Sequence, residues 1–306
     1  MYAAHRLLIA FISVWIAISL SFVLMRLLPG DAISAQLIVS GASPEVIAER
    51  RAALGLTRPA VSQYIDYLWK LAHGDLGVSL LNGQSVNEIL AARLSSTLAL
   101  TAAAMLIAVP LGVTLGLLTI KRGTISGQIA WAVSSAAISL PVYWAGTLLL
   151  VVFAGQLRIL PATHDGTAAG MILPAITLGL TGAGAIARVT AASAANVYQT
   201  DFTRTAFGKG LRESSILFRH VLPVSLTPVL SVIGLQTGYL LGGAVIVESI
   251  FTLPGLGRAM IIGVLEKDYP VVQGIVLWSA LTVICVQLCA DLLIWLSDPR
   301  LRETHR

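Results

Sequence analysis

Charged residues are scarce in this chain. They make up 11% of its 306 residues, whereas soluble domains carry about 25%, and the mean hydropathy is +0.84. With only two cysteines the chain is not a disulfide-stabilised scaffold. Its 27 glycines and 12 prolines are too few for a collagen-like or low-complexity protein. The class that remains is a polytopic membrane protein.

Sequence signatures of catalysis are also missing. The chain has no G-x-x-x-x-G-K-[ST] loop, and its Gly208-Lys209-Gly210 lacks both the spacing and the hydroxyl residue. Its five histidines are scattered, without the H-E-x-x-H spacing of a zinc site, and no G-x-S-x-G elbow is present. An intramembrane enzyme would need a Ser/His pair or paired acids at one depth, which the spans do not supply. The sequence therefore predicts no catalytic residues, no metal site and no cofactor bound by this chain.

Six apolar segments are long enough to cross a bilayer, which takes ~20 helical residues. They lack the alternation of membrane β-strands. The sequence therefore predicts an all-α protein with six transmembrane helices, at residues 8–28, 94–120, 129–157, 172–192, 223–247 and 271–296.

The charges of the connecting segments predict the orientation. On the side that holds both termini, the connections carry ten basic and four acidic residues, against eight basic and nine acidic residues on the other side. Basic residues accumulate on the cytoplasmic side, so both termini are predicted to be cytoplasmic. The sequence pI of about 9.5 then reflects membrane topology, and no nucleic-acid partner is expected.

A long extracytoplasmic loop, or scoop, at residues 29–93 separates the N-terminal end and first span (1–28) from the core of spans two to six (94–306). Within it, Ser43-Pro44-Glu45 is typical of a helix start and Gly55 of its end. A second helix is predicted after residues 57–59, ending before Gly74. A long structured loop favours an external contact surface, and the alternative is a lid packed on the helix bundle.

The cytoplasmic segment 200–223, between spans four and five, is the most informative part of the sequence. Thr200 or Asp201 can cap a short helix that Gly208 and Gly210 end, and Ser214 or Ser215 can start another. The small Ala206 and Gly210 are predicted to let a partner protein approach the backbone closely. The alternative is a basic amphipathic helix lying on the membrane surface.

At this segment the chain resembles a family. Ala206, Gly210, Leu222 and Pro223 have the spacing of the signature that permeases of ATP-binding-cassette importers present to their ATPases. The match departs at Arg204-Thr205, where the signature has Glu-Ala, and at His220, where it has Ile. The dipeptide, oligopeptide and nickel permease branch is similar along the whole chain, through Pro29-Gly30-Asp31, Gly74-Asp75-Leu76-Gly77, Leu160-Pro161-Ala162, Pro254-Gly255-Leu256-Gly257-Arg258, Asp268-Tyr269-Pro270 and Asp298-Pro299-Arg300.

The resemblance implies a subunit that forms half of a heterodimeric pore in the bacterial inner membrane. It implies a companion permease, two cytoplasmic ATPase subunits that hold ATP and Mg²⁺, and an extracytoplasmic substrate-binding protein. The ATPase-coupling residues it implies are Arg204, Thr205, Ala206, Lys209, Gly210, Leu211, Arg219, Leu222 and Pro223. The residues predicted for the extracytoplasmic contact are Pro29, Gly30, Asp31 and Asp75.

The fifth span carries Gly234, Gly238 and Gly242 at four-residue spacing, which permits close helix contact in lipid. Packing within the chain and a place at the pore-lining interface are both compatible with this pattern, and the resemblance favours the pore. Glu248, near the outer end of the span, is a candidate contact for substrate or for the binding protein.

The substrate implied by the resemblance is a dipeptide or oligopeptide. A nickel or metal-chelate importer is the alternative on the same scaffold. An ion-gradient-driven secondary transporter is the alternative from another class, and it would usually carry more intramembrane ionisable groups and an inverted repeat.

Overall fold

The computed structural model describes residues 2–27, 30–121 and 123–297. Short turns separate most of the helices, which together account for most of this part of the chain. In chain order they are α1 (Tyr2–Leu27), α2 (Ala32–Val39), α3 (Pro44–Ala53), α4 (Ala60–Ala72), α5 (Val86–Thr119), α6 (Ile125–Ser139), α7 (Val142–Leu149), α8 (Ala169–Tyr198), α9 (Asp201–Gly208), α10 (Glu213–Ile216), α11 (Leu222–Val224), α12 (Leu226–Ile250), α13 (Leu256–Leu265) and α14 (Tyr269–Ser297). A π-helical segment, Leu150–Gln156, continues α7, and another, Leu217–Val221, joins α10 to α11.

Within the described residues, five helices are long and apolar enough to cross a membrane, as predicted for five of the six spans. They are Leu8–Leu27 of α1, all of α5, α8 and α12, and Tyr269–Leu292 of α14. The largest difference from the predicted boundaries is in α5, which begins at Val86 instead of residue 94. Its first turn is polar, with Asn87 and Glu88, so hydropathy alone marks the start too late.

The third predicted span, 129–157, is not one continuous helix. It is divided into α6 and the α7 segment, whose axes differ in direction by 107°. Pro141 causes the break, because it has no N–H to continue the helical ladder and forces the preceding residue out of the α region. Leu140 is accordingly extended, with ψ 124°. The apolar segment is present as predicted, but as a bent helix pair, since apolar length does not reveal a bend.

One compact unit comprises Met1–Thr97 and Pro254–Thr282. Its core contains Val86 and Leu90 of α5, Leu256 of α13 and Ile275 of α14, each at most 5% exposed. The two helices predicted within the loop are present as α3 and α4, and Gly55 and Gly74 follow their ends with positive φ. The short helix α2 was not predicted.

The other compact unit comprises Leu98–Leu253 and Val283–Arg306. Leu100, Leu178 and Leu240, from α5, α8 and α12, form part of its core. Glycine brings α5 very close to α8, because a Cβ added at Gly112 would lie 2.7 Å from the Ala183 carbonyl oxygen, and one at Gly116 2.7 Å from the Ala187 carbonyl oxygen. These two glycines therefore serve packing within the chain.

Candidate functional site

The segment 200–223 begins with the predicted short helix, α9. Thr200 is its N-cap residue, but the Thr200 hydroxyl donates to the carbonyl of Val197 at 2.6 Å instead of capping an α9 amide. Gly210 follows the helix with φ +73°, a left-handed conformation that other residues rarely adopt. The second helix of the segment, α10, begins at Glu213, one residue before the predicted start.

One face of α9 is turned toward its own chain. Thr203 is fully buried and Ala206 is 5% exposed. Ala206 packs in a cluster with Leu117 of α5, Ala194 of α8 and Ile216 of α10. The small side chain of Ala206 thus packs against α5 and α8 within the same unit, and its part in a partner contact stays a prediction.

Exposed apolar and basic side chains flank the buried face of α9 and continue into the turn after it. Phe202, Phe207 and Leu211 are 43%, 40% and 39% exposed. Arg204 and Lys209 lie between them and are also exposed. We call these five residues the basic–aromatic surface. Exposed rings with guanidinium and ammonium groups between them are typical of a protein contact.

Two side-chain contacts fix the segment to the helices before it. The Glu213 carboxylate lies 2.9 Å from Lys121 Nζ, and its other oxygen accepts from Tyr198 Oη at 3.3 Å. The Tyr198 ring also meets the Phe207 ring edge to face, with centroids 5.6 Å apart. Glu213 belongs to no distinguishing sequence motif, so only its contacts in the structure identify it.

The end of the segment returns the chain to α12. Val221 is fully buried, Leu222 is half-buried, and Arg219 and Pro223 are exposed. The transmembrane helix begins at Leu226, after a turn at Ser225, and not at Pro223 as predicted. Segment 200–223 is thus continuous with α8 on one side and α12 on the other.

The glycines of α12 differ in what they contact. A Cβ added at Gly234 would lie 2.4 Å from Ala290 Cβ of α14, and one at Gly238 would lie 3.4 Å from Val283. A Cβ at Gly242 would have nothing within 4 Å. Gly234 and Gly238 therefore serve packing within the chain, which is one of the two possibilities that their spacing left open, whereas Gly242 faces open space.

Glu248 is also placed differently from the prediction. It is fully buried near the end of α12, and the Leu253 amide donates to the Glu248 backbone carbonyl at 2.9 Å. Phe251 and Leu253 are almost fully buried as well. The Glu248 side chain is thus not exposed to a substrate in this structure.

The residues predicted for the extracytoplasmic contact also differ from one another in exposure. Gly30 is exposed, with φ +80°, and its carbonyl accepts from Tyr269 Oη at 2.6 Å. Asp31 is 5% exposed; it caps α2 and pairs with Arg51 at 3.0 Å, so it has a structural part within the loop. Asp75 is exposed and accepts from the Gly77 amide. Pro29 lies outside the described residues.

A buried carboxylate fixes the end of this loop to the start of α14. Asp268 is 2% exposed, and its two oxygens accept from Ser79 Oγ at 2.5 Å and from the Leu80 amide at 3.1 Å. Ser79 is buried as well. Nothing in the sequence pattern paired these two residues, which are 189 positions apart.

We expect Asp268→Ala to release the loop near Leu80. The substitution leaves the Ser79 hydroxyl and the Leu80 amide without their acceptor, and an unsatisfied buried group costs about 1–3 kcal/mol. Limited proteolysis of the purified protein, read by mass spectrometry, should show faster cleavage within residues 76–85. Asp75→Ala is the matched control, since Asp75 is exposed and bonds only locally. Equal cleavage rates in the two variants would contradict the assignment.

Segment 200–223 lies within the part of the chain that matches a known protein family. Residues 108–303 match the family described as the binding-protein-dependent transport system inner membrane component. The chain belongs to this family. As such an inner membrane component, with five long apolar helices and one broken pair, it is a multi-pass membrane protein. The matched residues include all of segment 200–223 and exclude the loop at 29–93.

Relatives of this inner membrane component extend over nearly its whole length. It is 36% identical to the dipeptide transport system permease protein DppB of Escherichia coli K12, over 93% of each chain. It is also 36% identical to the di/tripeptide permease protein DppB of Pseudomonas aeruginosa, again over 93% of each chain. The glutathione transport system permease protein GsiC of Pectobacterium atrosepticum has the same identity over 98% of each chain.

A solved structure shares the fold. The inward-facing MetNI methionine ABC transporter aligns with a TM-score of 0.58 and 18% identity, covering 69% of this chain and 96% of that chain. At this identity the similarity concerns the fold alone. The predicted all-α permease fold is confirmed.

Proposed function

We propose that this chain is the permease subunit of an ATP-driven importer and forms half of the translocation pore for dipeptides or oligopeptides. The observation that carries the proposal is the 36% identity over 93% of the chain to a dipeptide permease. The absence of a nucleotide-binding loop in the sequence is consistent with ATP hydrolysis on separate subunits.

The proposed partners are a companion permease, two cytoplasmic ATPases holding ATP and Mg²⁺, and an extracytoplasmic substrate-binding protein. The basic–aromatic surface supports the ATPase contact, because its rings are exposed while Ala206 of the same helix is packed inside the chain. A groove that grips α9 would move α5 and α8 with it, since Ala206 packs against Leu117 and Ala194 in the buried cluster. Glu213, after α9, adds contacts to Lys121 and Tyr198.

In this topology both termini and the basic–aromatic surface are cytoplasmic, and the helices α2–α4 are extracytoplasmic. The positive-inside distribution of charge supports this orientation. Most of the residues proposed for ATPase coupling are exposed and can reach a partner directly: Arg204, Thr205, Lys209, Gly210, Leu211, Arg219 and Pro223. Ala206 is packed inside the chain, and Leu222 is half-buried.

Reconstitution in proteoliposomes tests the function. With the companion permease, the ATPases and the binding protein present, we expect uptake of a radiolabelled dipeptide to require ATP and to persist with an uncoupler. Omission of the ATPases should abolish it, because this chain has no loop of its own to bind nucleotide. Uptake that continues without ATPases and collapses with the uncoupler would instead identify an ion-gradient carrier.

Substrate class is tested separately, by measuring which ligand raises the melting temperature of the cognate binding protein. Stabilisation by dipeptides or oligopeptides supports the proposal. Stabilisation only by nickel or a metal chelate would identify the alternative importer. Within the described residues, no group of three or more His, Cys, Asp and Glu side chains is placed to hold a metal ion.

A further inference from the structure

A polar cavity lies in the first compact unit, beside the end of α1 and the start of α14. Its volume is about 310 Å³, and its wall includes Arg26 of α1, Tyr67 and Lys70 of α4, and Gln273 of α14. Because α1 ends at Leu27 and α14 begins at Tyr269, both spans leave the hydrocarbon here. The cavity therefore opens at the level of the membrane surface.

The wall of this cavity carries more cations than carboxylates, since Arg26, Arg58 and Lys70 outnumber Asp66 and Asp75. Arg26 donates to neutral acceptors, the Gln63 side-chain oxygen at 2.7 Å and the Phe22 carbonyl at 3.4 Å, and its guanidinium lies over the Phe22 ring. The Lys70 ammonium forms no ion pair within the part of the chain that the structure describes. The other cation of the wall, Arg58, is already paired with Asp66 at 2.8 Å.

Two further polar groups of the wall lack partners. Tyr67 Oη and Gln273 Nε2 are buried and make no hydrogen bond with any described residue, and Gln273 is only 5% exposed. Burial raises the pKa of Tyr67 to about 12, so its hydroxyl keeps its proton and can donate. A buried donor without an acceptor is unfavourable, so a ligand with acceptor oxygens would stabilise this site.

An apolar groove begins where the polar cavity ends. Its volume is about 400 Å³, and Leu76 lines both spaces. The groove runs past Leu94 of α5 and past Trp278 and Leu281 of α14. Gln273 and Leu281 are eight residues apart, about 12 Å along a helix. Proceeding from the membrane surface into the hydrocarbon, the lining thus changes from cationic and polar to apolar.

We propose that these two spaces together hold one phospholipid, whose anionic head group occupies the polar cavity and whose acyl chain lies in the apolar groove. The head-group phosphate balances the excess positive charge of the wall and supplies acceptor oxygens for Arg26, Lys70, Tyr67 and Gln273. The acyl chain covers the exposed faces of Trp278 and Leu281. The site is independent of which solute is transported.

Native mass spectrometry of the delipidated importer complex, titrated with phosphatidylglycerol, tests the site. Lys70→Gln removes a head-group contact at an exposed position and should weaken binding of one lipid by ~10-fold. Arg50→Gln removes an exposed charge from the same loop, outside the cavity wall, and should leave binding unchanged.

The groove is tested by Ala91→Trp, since Ala91 lines it and is exposed, so that an indole would fill the space without disturbing a packed core. Ala92→Trp is the matched control at the neighbouring exposed position, which does not line the groove. We expect Ala91→Trp, and not Ala92→Trp, to reduce lipid binding by ~10-fold, as expected when apolar contact is lost.

Three outcomes would overturn the proposal. Competition by inorganic phosphate together with no effect of Ala91→Trp would identify a site for free anions. Loss of the companion permease from the Ala91→Trp complex would identify the groove as a protein interface. Unchanged lipid binding in both Lys70→Gln and Ala91→Trp would show that the lipid binds elsewhere.

Discussion

Replacing Phe202 by glutamate is expected to reduce ATP-driven uptake by roughly 30-fold while leaving the fold of the permease intact. Phe202 is 43% exposed on the basic–aromatic surface, so the substitution removes little packing within the chain. An aromatic residue at the centre of a contact contributes about 2 kcal/mol or more, and every 1.4 kcal/mol is tenfold in binding. A carboxylate in the ATPase groove would add a desolvation penalty.

The measurement is uptake in proteoliposomes together with the amount of ATPase that co-purifies with the permease. Leu211→Glu should behave like Phe202→Glu, because Leu211 is 39% exposed on the same surface. Ser126→Glu is the matched control: it adds the same charge at an exposed position in the first turn of α6, where an acid is favourable. If Phe202→Glu retains both uptake and bound ATPase, the coupling assignment fails.

Introducing a single methyl group at Gly234 is expected to destabilise the protein, and removing one from Ala290 should restore it. A Cβ at Gly234 would lie 2.4 Å from Ala290 Cβ, closer than two carbon atoms can approach. Such overpacking costs about 1–3 kcal/mol. The higher helix propensity of alanine, worth up to about 1 kcal/mol, offsets only part of it.

Thermal aggregation of the detergent-purified protein, followed by size-exclusion chromatography, provides the readout. Gly234→Ala should lower the midpoint temperature of aggregation. In the double variant with Ala290→Gly, this temperature should return toward the parent value, because the reciprocal change restores the space. Gly242→Ala is the control on the same helix, since a Cβ there has nothing within 4 Å. A double variant no more stable than Gly234→Ala would show that the two residues do not share a contact.

Gly234 and Gly242 show that sequence spacing alone does not predict which glycine of a helix face contacts another helix. Gly234 and Gly242 are equivalent in the four-residue pattern, yet one contacts α14 and the other faces open space. The pattern records only that both residues lie on one face of a helix. Which part of that face meets another helix depends on the crossing of α12 and α14, which no local signal encodes.

Segment 200–223 shows the same division. Its helix, its glycine-terminated turn and its basic character were all predicted, since capping residues and glycine act locally. The sequence does not indicate which side of the segment Ala206 occupies. Ala206 is small in either interpretation, and only the positions of Leu117 and Ala194 show that it faces its own chain.

The sequence by itself determined the membrane class, five of the spans, the helices of the loop and the family, because apolar length, caps and motif spacing depend on neighbouring residues. Only the tertiary structure decided the bend at Pro141, the burial of Glu248 and Asp31, and the pairing of Ser79 with Asp268. A proline predicts that a helix breaks but not the angle of the break. A buried acid predicts a free-energy cost but not which group pairs with it. The angle and the partner depend on residues far away in the chain, which folding alone brings together.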